Sequence, residues 1–204
     1  MFFSPKEIEQ RFETNRDRDI SGAADANGML NGQGRAELAK LAFGRSNVGR
    51  AGCESIAVYN VLRLLGRPRP LAEIIRDMEK GGYLRMGGHW GASPWLQLLL
   101  RRYGTVARVV TARGLQRAAD VRALTPGAVF IMCIWNRRFM PQKGLHTFAA
   151  VYDPRGEEDW VVFNRYNNDA QGRRYAAVED ILKTGKTAGA FLVIYRVYPQ
   201  RSEE

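Results

Sequence analysis

The chain has few of the residues that build disulfide or metal frameworks. It holds two cysteines, Cys53 and Cys133, and two histidines, His89 and His146, among 204 residues. Two isolated cysteines cannot staple a fold, and with no secretory signal they are expected to stay reduced. No Cys-x-x-Cys and no His-x-x-x-His spacing occurs, so no metal site is expected, and nothing calls for a cofactor. Long apolar runs are also missing. The longest, residues 127–134 and 188–195, are too short to span a bilayer. The opening Met1-Phe2-Phe3-Ser4-Pro5-Lys6-Glu7 meets charge at once and lacks an apolar signal core. The expected setting is therefore the cytoplasm, away from any membrane.

Charge is not lacking. Thirty-one basic against 21 acidic residues give a formal net charge of +10, which invites a nucleic-acid reading. The arginines, however, are scattered as singles and pairs (Arg101-Arg102, Arg137-Arg138, Arg173-Arg174), with no basic tract and no recognition motif. That pattern argues against nucleic acid and leaves an acidic substrate or partner open. The apolar fraction, 45%, is that of an ordinary globular domain. The length suits one such domain over residues 46–204, preceded by an N-terminal extension over residues 1–45.

The order of elements points to an α+β fold. Residues 5–15 read as a helix, with Ser4 and Glu7 placed for a capping box and Pro5 in the first turn. Residues 16–33, rich in Asp, Asn and Gly, read as a loop, and the segment 16–45 that precedes Cys53 could cover a cleft as a lid or inhibitory arm. Residues 34–43 read as helix and 44–52 as a glycine-punctuated loop. Residues 53–65 are apolar nearly all round, the mark of a buried central helix, and Gly66, Pro68 and Pro70 end it. Residues 70–80 form an amphipathic helix. After the loop 81–93, another helix starts at Pro94. The second half changes period: 105–111, 127–135, 145–152, 159–164 and 189–197 read as strands, with a short helix at 177–183. Helices followed by an antiparallel sheet is an α+β layout.

Cys53 opens the central helix directly after the glycine loop, where backbone N–H groups and the helix dipole favour a thiolate. Cys133, inside an apolar run, reads as core. His146 starts a strand, a rigid mount for a general base, and a Cys–His pair is an activated nucleophile. His89, in a glycine loop, is the alternative base. Asn164 ends the following strand, where its side-chain oxygen could accept from the second ring nitrogen of His146; Asn167 is the reserve for that role. Asn47, six residues before Cys53, could supply an oxyanion donor beside the Cys53 N–H. His89, Trp90, Trp95 and Trp135 are candidate cleft-lining residues.

This ordered set, Cys53, His146, Asn164 and an amide at Asn47, resembles the papain-like cysteine peptidase superfamily. Within it the chain looks most like the bacterial peptidases that trim double-glycine leader peptides. The stretch Gly87-Gly88-His89-Trp90-Gly91-Ala92-Ser93-Pro94 is similar to the segment leading into their second helical region. The likeness runs from Ser46 to Val197. It implies a papain-like fold and a thiol protease or amidase acting on a peptide or protein substrate through a catalytic triad and an acyl-enzyme. It departs from the pattern in having Asn47 where glutamine is usual and Glu54 directly after the cysteine. The alternatives are an acyltransferase or transglutaminase-like enzyme on the same residues, and an inactive papain-like binding module.

Overall fold

The computed structural model describes residues 3–81, 94–136, 144–184 and 187–200. Its centre is a six-stranded antiparallel sheet in the order β3-β10-β4-β5-β6-β7. The strands are β3 (Thr105–Val110), β4 (Val129–Trp135), β5 (Leu145–Tyr152), β6 (Trp160–Phe163), β7 (Arg173–Tyr175) and β10 (Ala190–Pro199). Among the described residues two short hairpins complete the strand set: β1 (Ala42–Phe43) with β2 (Ser46–Asn47), and β8 (Lys183–Thr184) with β9 (Thr187–Ala188). Helices plus an antiparallel sheet make this an α+β protein.

The helices are α1 (Pro5–Arg16), α2 (Ala36–Ala39), α3 (Val48–Ala51), α4 (Cys53–Leu64), α5 (Leu71–Lys80), α6 (Pro94–Arg102) and α7 (Ala112–Asp120). The capping box of α1 is formed: Glu7 N–H donates to Ser4 Oγ at 3.3 Å, and Ser4 N–H to Glu7 Oε2 at 2.6 Å. The helix expected over 34–43 is cut to one turn, because Ala42 and Phe43 pair with Asn47 and Ser46 instead. Helix α7 was not foreseen. Thr111 caps it through Gly114 N–H, and Leu115 and Ala119 bury one face.

Strand alternation sorts the core into two layers. On one face, Val129, Ile131, Ala149, Tyr195 and Val197 meet Ile56, Ala57, Val58, Val61 and Leu62 of α4. On the other, Phe130, Met132, Ile134, Phe148, Trp160 and Val162 meet Leu115 of α7 and a 3-10 turn, Val178–Leu182. Helix α4 is buried almost throughout, as its sequence requires.

The boundary expected at residue 45 is not a structural one. Met29, Leu30, Leu38, Leu41 and Phe43 lie in the same core as α4, and α1 packs on α5. Residues 16–33 hold fixed contacts rather than behaving as a detached arm: Asn60 of α4 clasps Leu30, accepting its N–H and donating to its carbonyl, both at 2.8 Å. Apolar Met29-Leu30 inside a polar stretch is what draws the segment in.

Candidate active site

Cys53 is the first residue of α4. The one-turn helix α3 precedes it, and Gly52 joins the two. A Cβ on Gly52 would sit 2.6 Å from Val48 Cα, so only glycine permits this tight entry. Asn47 caps α3, its Oδ1 accepting from Arg50 N–H at 3.0 Å. The carbonyl end of its amide is thereby committed, and Nδ2 is the end left to donate.

The backbone N–H groups of Thr147 and Glu54 face the Cys53 sulfur and favour its anion, but burial and the Glu54 carboxylate outweigh them. The thiol is pushed up to about 12, although the residue as a whole keeps partial exposure. The Thr147 N–H belongs to the peptide that links it to His146. Cys53 therefore lies against β5 at Thr147, next to the candidate base in sequence but on the α4 face, whereas the His146 ring packs on the other face.

His146 and Thr147 send their side chains to opposite faces. Thr147 pairs with Cys133 on the α4 side, while His146 pairs with Ile134 on the other. The His146 ring packs 5.8 Å from Phe148. Its Nε2 lies 2.6 Å from the main-chain oxygen of Asn164. A carbonyl oxygen only accepts, so Nε2 carries the hydrogen, and Nδ1 holds the lone pair of the neutral ring. Burial is the main cause that pushes the imidazole down to about 4, with the Arg165 guanidinium adding to it.

That neutral histidine has a stability consequence. The unfolded ring takes a proton near pH 6.5, whereas the folded one holds none until about pH 4. Between these values the unfolded state binds more protons, so stability falls as pH drops through this window and is unaffected above it. At pH 4.5 the loss from this residue is about 2–3 kcal/mol. Urea unfolding of wild type and His146→Gln at pH 7.5 and 4.5 measures it: the variant is expected to lose less by that amount.

Asn164 reaches His146 differently from the sequence expectation. The contact is made by its backbone carbonyl, while its side-chain Oδ1 accepts from Gln33 N–H at 2.9 Å. The residue has φ +59°, a left-handed conformation that asparagine tolerates better than most. Asn31 Oδ1 accepts the Asn164 N–H at 2.9 Å. Arg165, also buried, bonds Ile181 O at 3.0 Å and Asn136 Oδ1 at 2.9 Å. Asn31, Gln33, Thr147 and Arg165 were not foreseen. Only Thr147 had a sequence signal, as the neighbour of a strand histidine.

Cys133 is buried, as a core residue should be, but it adjoins the site, sharing Thr147 with Cys53. Trp135 lies one pair beyond Cys133 on the same face, opposite Leu145, so it extends the wall beside the thiol. Trp95 stands on α6, 44% exposed. His89 and Trp90 lie outside the described residues. A groove of about 1240 Å³ runs past Arg63, Leu64, Val151 and Phe163, at the opposite end of α4 from Cys53. Its arginines are largely paired, Arg155 and Arg174 with Asp153 and Arg173 with Asp169. Among the described residues no group of three His, Cys, Asp or Glu could hold a metal, and no helix is long and apolar enough to cross a membrane.

No protein-family profile matches the chain, and no curated protein is significantly similar to it.

Proposed function

We propose that the protein is a papain-like cysteine hydrolase that cleaves a peptide or amide bond through Cys53 and His146. What supports this reading is the placement of Cys53 at the start of α4, which packs on β5 at Thr147, with the adjoining histidine's Nε2–H fixed by Asn164 O. Fixing that hydrogen leaves Nδ1 with the lone pair; because the ring packs on the face of β5 opposite Cys53, attack requires the imidazole to turn round the start of the strand to meet the thiol. Because the thiol rests in its neutral form, proton removal accompanies attack. The sulfur bonds to the substrate carbonyl carbon while Nδ1 takes the thiol proton. The tetrahedral intermediate expels the amine, which carries that proton away, and leaves a thioester. Water, deprotonated by the same nitrogen, then releases the acid and the free thiol. Asn47 Nδ2 and the Cys53 N–H are the proposed oxyanion donors. An amine in place of water would make the same site an acyltransferase.

A second reading has its own observation. Burial and Glu54 hold the thiol high, and burial holds the imidazole low, which suits a papain-like module that binds without reacting. Its proposed ligand is acidic, given the net charge of +10.

Iodoacetamide labelling of the folded protein at neutral pH, read by peptide mass spectrometry, tests the first reading. Cys53 is expected to be alkylated at least about ten times faster than Cys133, whose thiol is also raised but buried. Equal rates at the two cysteines would defeat it.

A further inference from the structure

The turn at Asn164 is held from the N-terminal segment rather than from its own sheet. Strand β6 ends at Phe163, and Asn164 leaves it in the left-handed region. Three polar groups of Asn164 are then engaged. Its N–H donates to Asn31 Oδ1, its Oδ1 accepts from Gln33 N–H, and its carbonyl accepts from His146 Nε2. The first bond fixes the peptide plane before Asn164 and the second anchors its side chain, and together they hold the turn that aims the carbonyl.

Residues 30–33 are themselves tied to the nucleophile's side of the molecule. Asn60 of α4 clasps Leu30. Gln33 Nε2 donates to Gly49 O at 3.1 Å, in the turn that leads to Cys53. Asn31 is steadied by its own amide, whose Nδ2 donates to Met29 O at 3.2 Å, and by its backbone N–H on Ala23 O at 3.1 Å. One short strap thus touches the nucleophile helix, the turn before the nucleophile, and the residue that orients the base. Nothing about the core requires buried amides here; Asn31 and Gln33 are 0% and 5% exposed, and polar groups buried this deeply are retained for the bonds they make.

We propose that Asn31 and Gln33 are positioning residues of the Cys53–His146 site, setting the Asn164 carbonyl that holds the imidazole in its Nε2–H form and registering it against the turn before Cys53. The inference rests on the cysteine-hydrolase reading for its meaning, but not for its test. Neither residue touches a reacting atom. Each acts through Asn164 or Gly49, so its loss should disturb the tautomer and the rate together while the fold persists.

The full-length protein with ¹⁵N-labelled imidazoles reports the ring state directly by NMR, with His146→Gln assigning the signal against His89. Wild type is expected to show His146 as the Nε2–H tautomer at pH 7. Asn31→Ala is expected to give a mixture of tautomers and to slow iodoacetamide alkylation of Cys53 by about 10- to 100-fold. Asn31→Asp, which keeps an oxygen for the Asn164 N–H, is expected to restore the tautomer in large part. Gln33→Ala, which frees the strap from Gly49 but keeps its backbone N–H on Asn164, is expected to shift both readouts in the same direction by less, and serves if Asn31→Ala does not fold. An unchanged ring in a folded Asn31→Ala or Gln33→Ala protein overturns the positioning role. A wild-type ring in the Nε2–H form that loses it in Asn31→Ala, beside an inert Cys53, supports the positioning and overturns the hydrolase.

Discussion

His146→Gln is expected to slow alkylation of Cys53 at pH 7 by about 100-fold or more, and to change the shape of its pH profile. The argument starts from the two shifted groups. With the thiol pushed up to about 12, only about one molecule in 10⁵ carries a thiolate at pH 7. An unassisted Cys53 is therefore slow, and its rate rises about tenfold per pH unit as the thiolate fraction grows. The imidazole, pushed down to about 4, is neutral and able to accept a proton across the whole range above that. If Nδ1 takes the proton as the carbon–sulfur bond forms, neither group titrates between about pH 5 and pH 9, and the wild-type rate is level there. The variant retains only the thiolate route and should show the rising profile. A wild-type profile that climbs tenfold per unit, superimposed on that of His146→Gln, would rule out the base and leave the binding module.

Glu54 sharpens this expectation. A carboxylate in the first turn of α4 suits the helix dipole, and it is buried, 4% exposed. Beside the sulfur it opposes the anion, working against the same dipole and the two backbone N–H groups. A preformed thiolate–imidazolium pair is thus disfavoured from both sides, since burial also keeps the ring neutral. On the proposed reading, proton transfer therefore accompanies attack rather than preceding it.

The periodic parts of this fold were legible in the sequence. Helices α1, α4 and α5 and strands β4, β5, β6 and β10 follow apolar spacing and caps, which are local properties. The candidate site residues were legible only as types in order. The Asn164 contact shows the limit: asparagine was expected to act through its side chain, yet its backbone carbonyl takes the histidine, because a left-handed turn redirects the peptide. No spacing rule encodes that turn. Asn31 and Gln33 escaped for a related reason. Their partner is more than 130 positions away, and an Asn- and Gly-rich stretch looks like solvated loop until its tertiary bonds are known. Helix α7 was hidden because its apolar face is narrow, with Leu115 and Ala119 its buried residues.

Trp160→Ala should cost about 3–5 kcal/mol of stability, measured as a lower midpoint in guanidinium unfolding. Trp160 begins β6 and is 0% exposed. Its indole sits 5.4 Å from both Phe130 and Tyr152, tilted at 57° and 56°, so truncation empties the centre of the second core layer. The indole nitrogen is buried without a partner, and an unmade bond of this kind itself costs about 1–3 kcal/mol. Trp160→Phe removes that donor while keeping a ring, and is expected to lose much less than alanine. The site is linked to the same layer. Phe148, on which the His146 ring rests, belongs to it, and β6 carries Asn164 at its end. A loosened β6 should therefore release the Asn164 carbonyl as well, so that in Trp160→Ala slower Cys53 alkylation accompanies the lost stability, whereas Trp160→Phe keeps both. If alanine at 160 lowered stability but left the labelling rate at the wild-type value, the Asn164 turn would be held by residues 31–33 alone, independently of the sheet.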